Sequence, residues 1–101
     1  MSKRFIIATN GCSVENRDKI TKFFDSKTWG YWHWFSELWI LVGVPDPYNA
    51  QVLWVELTNA TGLEAEENLL VLEVPHGLAT YWGRAPKESW EWMASKLNQN
   101  P

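Results

Sequence analysis

The apolar residues of this chain fall into short blocks, some continuous as in strands and some spaced as on one side of a helix. Residues 4–9, RFIIAT, form a run with aromatic and β-branched members. It stops at Asn10-Gly11, a strong turn pair, and predicts a buried strand. Ser13 follows as the expected N-cap, because its hydroxyl can accept a bond from a free amide of the next turn. Ile20, Phe23 and Phe24 then recur at helical spacing, with Glu15, Arg17, Asp18, Lys19 and Lys22 on the other side, which predicts an amphipathic helix over residues 14–26.

Residues 29–44, WGYWHWFSELWILVGV, are apolar and aromatic except at Ser36-Glu37. Two strands, 30–36 and 38–44, joined by a tight turn there, fit this pattern. In the second, Leu38, Ile40 and Val42 share one face while Trp39 and Leu41 share the other, so both faces need a cover. Pro45-Asp46-Pro47 ends the hairpin, and Asp46 as N-cap with Pro47 in the first turn predicts a helix over 47–60. Ala50, Leu53, Leu57 and Ala60 form its stripe, and Gly62 is placed to stop it. Residues 68–74, NLLVLEV, read as a further strand closed by Pro75, and residues 79–82 as a possible short one. Pro86 opens a last helix, 86–97, carrying Trp90, Met93, Ala94 and Leu97 on one side.

The order strand, helix, strand, strand, helix, strand, helix predicts one domain over residues 1–101. The fold class is α/β (α+β): a ferredoxin-like, split βαββαβ antiparallel sheet with a C-terminal aromatic-rich helix. Two helices cover one sheet face, and the other is left for the C-terminal helix or a second subunit.

Composition narrows the function. Hydrophobic residues make up 46% and charged residues 21%, which is ordinary globular usage. The net charge is −3 and the nine Lys and Arg are scattered, with no basic stripe of the kind nucleic-acid binders show. The single cysteine, Cys12, excludes an intramolecular disulfide. The apolar run after Lys3-Arg4 is too short for a signal peptide, and no run approaches a membrane span, so the expected location is cytoplasmic. No cofactor motif stands out, and none is expected. Eight Trp are the unusual feature; they suit a core, a subunit interface or a binding surface.

The segment Tyr31-Trp32-His33-Trp34-Phe35-Ser36-Glu37-Leu38-Trp39-Ile40-Leu41 resembles a family of small bacterial proteins often labelled SinR-like. That family shares a fold with the small ferredoxin-like protein of the CRISPR adaptation pair and with VapD-type ribonucleases. In the group a Trp-His pair leads into a hairpin whose second strand carries Trp followed by aliphatics, here Trp32-His33 and Trp39-Ile40-Leu41. Residues 68–74 look like the group's fourth strand; Tyr81-Trp82-Gly83 and residues 90–97 look like its aromatic tail. The resemblance implies a prokaryotic or phage setting such as defence, counter-defence or a toxin–antitoxin system, while the apolar second sheet face and the Trp surplus point to a symmetric homodimer. Nucleases of the wider fold place an Asp at the end of strand one, where two subunits can share a metal. Thr9-Asn10 stands there instead, and residues 4–13 contain no carboxylate.

The candidate chemistry is sparse. His33 could act as a general base or simply satisfy a hydrogen bond. His76 could join it or serve as a turn residue after Pro75. Cys12 sits before a helix, where a thiol's pKa falls and backbone amides can bind an anion. The loop Asn10-Gly11-Cys12-Ser13 is therefore one binding candidate. Tyr81, Trp82 and Arg84, residue types common at interface hot spots, form the other. Glu64, Glu66 and Glu67 read as a solvated connection. The leading expectation is a non-enzymatic homodimeric interaction module with a protein or nucleotide or nucleic-acid partner. A divalent-metal-dependent ribonuclease or deoxyribonuclease and a DNA-binding transcriptional regulator are the rivals.

Overall fold

A computed structural model of the chain describes residues 2–63, 68–75, 77 and 83–98. Four strands, β1 (Lys3–Asn10), β2 (Gly30–Phe35), β3 (Leu38–Val44) and β4 (Asn68–Val74), form one sheet in the order β2-β3-β1-β4. Every neighbouring pair is antiparallel. Helix α1 (Val14–Asp25) links β1 to β2, and α2 (Ala50–Thr61) follows β3. The C-terminal helix begins as α3 (Lys87–Trp92) and widens into a π-helical turn over Met93–Leu97. The result is a small α+β domain with a four-stranded antiparallel sheet. The expected strand at 79–82 and the acidic connection at Glu64, Glu66 and Glu67 lie outside the described residues.

Both sheet faces are apolar, as the doubly apolar third strand requires. On the first face, Phe5 and Ile7 of β1 and Trp39 and Leu41 of β3 are fully buried against Ile20, Phe23 and Phe24 of α1 and Leu53 and Leu57 of α2. On the second, Trp32, Ile40 and Val42 pack beneath Met93 and Leu97, with Ile6, Leu38, Trp90 and Trp92 around them. The buried line of the C-terminal helix is Ser89, Met93 and Leu97, whereas Ala94 is exposed. The helix is thus turned by about a residue from the expected stripe; its wide last turn closes with the Asn98 amide donating to the Met93 carbonyl.

The second helix starts three residues later than expected. Asp46-Pro47 forms a turn in which the Tyr48 amide donates to the Pro45 carbonyl, and Asn49 becomes the N-cap by accepting from the Val52 amide at 2.8 Å. Both Asx residues suit a cap; the turn uses the first and leaves the second to start the helix. Gly62 ends α2 in the left-handed region, as its position implies.

β3 carries one extra residue relative to β1. Ile7 pairs with Trp39 and Phe5 with Leu41, but Lys3 pairs with Val44. Gly43, at φ +74°, supplies the bulge and turns Val44 onto the first face, where it is fully buried. A Cβ at Gly43 would meet nothing within 4 Å, so the cost of Gly43→Ala is conformational. That change is expected to destabilise the domain by about 1–2 kcal/mol, read as a lowered urea midpoint; an unchanged midpoint would contradict the bulge.

Candidate functional site

The topology brings the end of β1, the β2–β3 turn and the start of β4 to one end of the sheet. Asn10 pairs with Asn68, and the Thr9 amide donates to the Glu37 carbonyl at 3.0 Å. The Glu37 carboxylate folds back over the loop that precedes α1. Its Oε1 accepts from the Cys12 amide at 2.6 Å and from the Thr9 hydroxyl at 3.3 Å. The Cys12 amide holds the Glu37 carboxyl below the ordinary carboxylate range. Partial burial opposes this, while the Gly11 amide, the Thr9 hydroxyl and the Arg17 charge assist it. The loop's anion-binding potential is therefore engaged by the chain's own carboxylate. Cys12 itself is buried in the first-face core. Ser13 caps α1, accepting from the Asn16 amide at 3.1 Å. Sequence reasoning missed this use of Glu37; the signal was that it is the one acid in an otherwise apolar stretch of sixteen residues, 29–44.

The sign of the pH effect follows from the lowered value. The ionised Glu37 contributes stability that is fully present above the ordinary carboxylate pKa and is lost as pH falls through the folded value. Glu37→Gln is expected to lower the urea midpoint at neutral pH, with the gap to wild type closing in acid. A gap independent of pH would contradict the arrangement.

His33 is half-buried on the helix-covered face. Its ring stacks on Trp39 with centroids 4.3 Å apart and planes 4° from parallel, and its Nδ1 lies 3.0 Å from the Leu38 carbonyl oxygen. These contacts serve the fold. His33 adjoins β3 and is not brought together with the loop at Asn10, Cys12 and Ser13 in any observed contact. Among the described residues, no three His, Cys, Asp or Glu side chains converge on a point that could hold a metal. Arg84 is exposed, while Tyr81, Trp82 and His76 lie outside the described residues.

The second sheet face presents a different kind of site. Register places Phe35, Leu38, Ala8 and Leu70 in one row across all four strands, and Trp32, Ile40, Ile6 and Leu72 in the next. The C-terminal helix covers the β2–β3 side of these rows. It leaves Leu70 56% and Leu72 52% exposed on β4, with Phe35 49% and Trp34 45% exposed at the end of β2. Phe35 meets the buried Trp32 edge-on at 4.9 Å, which fixes it to this face. A smaller apolar patch on α2, Val52, Trp54 and Val55, is interrupted by Gln51, Glu56 and Asn59. Of the described Trp, Trp29, Trp32 and Trp39 are buried in the core, Trp90 and Trp92 are half-buried, and Trp34 and Trp54 are exposed.

No protein-family model, curated protein or solved structure matches the chain. No described helix is long and apolar enough to cross a membrane.

Proposed function

We propose that this chain is a ferredoxin-like, non-enzymatic interaction module that works as a homodimer through the uncovered half of its second sheet face. The setting suggested by the SinR-like resemblance is prokaryotic or phage defence, counter-defence or a toxin–antitoxin pair. The strand order supports the ferredoxin-like part. β3 lies between β1 and β2, and β1 lies between β3 and β4, so each strand–helix–strand unit is split by a strand of the other.

The observation that carries the dimer is the uninterrupted row Phe35–Leu38–Ala8–Leu70 with Leu72 beside it. Aromatic side chains bring roughly 150–250 Å² each, so Trp34, Phe35, Leu70 and Leu72 at half exposure present about 350 Å² of apolar surface. A standard interface buries about 800 Å² per partner, somewhat more than half of it apolar. With the half-buried Ile6, Ala8 and Leu38 the patch reaches the lower end of that range, which fits a dimer of micromolar affinity. A second copy is the occupant because the patch carries no charge for an unlike partner to match. Any further partner is proposed to meet the exposed Arg84 and its sequence neighbours Tyr81 and Trp82.

Hydrogen exchange read by mass spectrometry tests the surface. Raising the protein from low to high micromolar concentration is expected to slow exchange in residues 68–74 and leave α2 unchanged. Slowing on α2 alone would move the interface and overturn the reading. In parallel, labelled RNA and DNA should stay intact with Mg²⁺ or Mn²⁺. Chelator-sensitive cleavage lost in Asn10→Ala or His33→Ala would establish the nuclease rival instead.

A further inference from the structure

The layer between the sheet and the C-terminal helix holds most of the buried polar atoms that lack a partner among the described residues. On the helix-covered side Trp39 Nε1 donates to the Thr21 hydroxyl at 3.1 Å and the buried Thr61 hydroxyl donates to the Leu57 carbonyl at 2.7 Å, while Arg17 Nε of α1 is buried without a partner among the described residues. In the layer of the C-terminal helix, Arg4 Nε, Trp32 Nε1 and Ser89 Oγ are all buried without a hydrogen-bond partner among the described residues. Trp32 is 1% exposed and Ser89 0%. Each group must give up water to let the helix sit down and receives nothing in exchange, which weakens docking roughly tenfold or more per group.

A charged residue of β1 ties the helix down at its C-terminal end. Arg4, the buried cation of β1, donates from one terminal nitrogen to the Leu97 carbonyl at 2.8 Å and from the other to the Pro75 carbonyl. It ties the last turn of the helix to the end of β4, and its charge suits the negative end of the helix. At the other end Pro86 provides no side-chain cap. Apolar contact through Trp90, Trp92, Met93 and Leu97 adds to this tie.

We propose that the C-terminal helix is a releasable strap, latched by Arg4, whose lifting extends the exposed apolar rows across Trp32, Ile40 and Val42. The opened face then offers a second copy roughly twice the apolar area of the closed one. This depends on the proposed self-association only for what the opened face binds. Release itself is intramolecular and occurs in the monomer.

Native-state hydrogen exchange on the full chain, dilute enough to be monomeric, tests it. Residues 87–97 are expected to exchange faster than 38–44, with a weaker dependence on denaturant, as for a partial opening. Ser89→Ala should slow exchange in 87–97 about tenfold more than Ser95→Ala, an exposed serine of the same helix that controls for helix propensity. Arg4→Met should accelerate 87–97 while 38–44 keeps its rate. Exchange of 87–97 together with 38–44, at one rate and one denaturant dependence, would show the helix to be an integral part of the core and overturn the proposal. A strap confirmed in a protein that stays monomeric would leave this inference standing and sink only the dimer.

Discussion

Lysine at Leu70 and Leu72 together is expected to return the protein to a monomer without unfolding it. Both side chains stand more than half exposed on the uncovered sheet face, whereas Leu69 and Val71 alternate to the other side and pack against the helix-covered core. The substitutions remove no core contact, so the cost to the domain should stay within about 0.5 kcal/mol per site. In the interface the change is severe. Two ammonium groups per subunit would have to lose water against apolar neighbours, and a two-fold axis sets like charges across from each other. Light scattering after size exclusion should give the 11.8 kDa monomer. The matching pair on α2, Val52→Lys with Val55→Lys, should leave the dimer intact. A Leu70/Leu72 double variant that remains dimeric places the interface elsewhere.

Trp39→Ala is expected to remove a large share of the folding free energy, while Trp34→Ala, a few residues away, should cost little. Trp39 is fully buried on a central strand, stacked on His33, edge-on to Phe24 at 6.3 Å and bonded to the Thr21 hydroxyl. Truncation leaves a cavity and removes the indole donor from the Thr21 hydroxyl, which keeps its own bond to the Arg17 carbonyl, for a loss of about 3–5 kcal/mol. A domain of this size holds roughly 5–15 kcal/mol in total. The midpoint of thermal unfolding should fall by about 15–30 °C, since 1 kcal/mol moves it by roughly 4–8 °C in small domains. Trp34 is 45% exposed at the sheet margin and should move the midpoint by only a few degrees. Equal effects from the two would contradict the assignment of faces.

The pattern of apolar positions carried the element order, because strand 38–44 is a continuous apolar run and Asn10-Gly11 and Gly62 punctuate the chain. The need for covers on both faces was legible in that same strand. Arg4 was not legible as buried. The run RFIIAT is too uniformly apolar to reveal its faces, and a lone arginine at a strand start ordinarily points to water. Its burial depends on carbonyls at Pro75 and Leu97, far along the chain. The start of α2 was ambiguous because Asp46 and Asn49 are both good caps, and only the turn at Pro45–Tyr48 decides between them. The turn Asn10-Gly11 before a Ser13 cap marks a loop with amides to spare. That Glu37 takes them is a contact across 25 positions that no local pattern announces. The apolar row Phe35, Leu38, Ala8 and Leu70 draws on four separate strands and becomes visible only once their register is known.

Sedimentation equilibrium of the wild-type protein, from low to high micromolar concentration, tests the central claim most directly. The account predicts a weight-average mass that rises from 11.8 kDa toward twice that value along a single monomer–dimer isotherm. A mass that stays at 11.8 kDa over the whole range would contradict it.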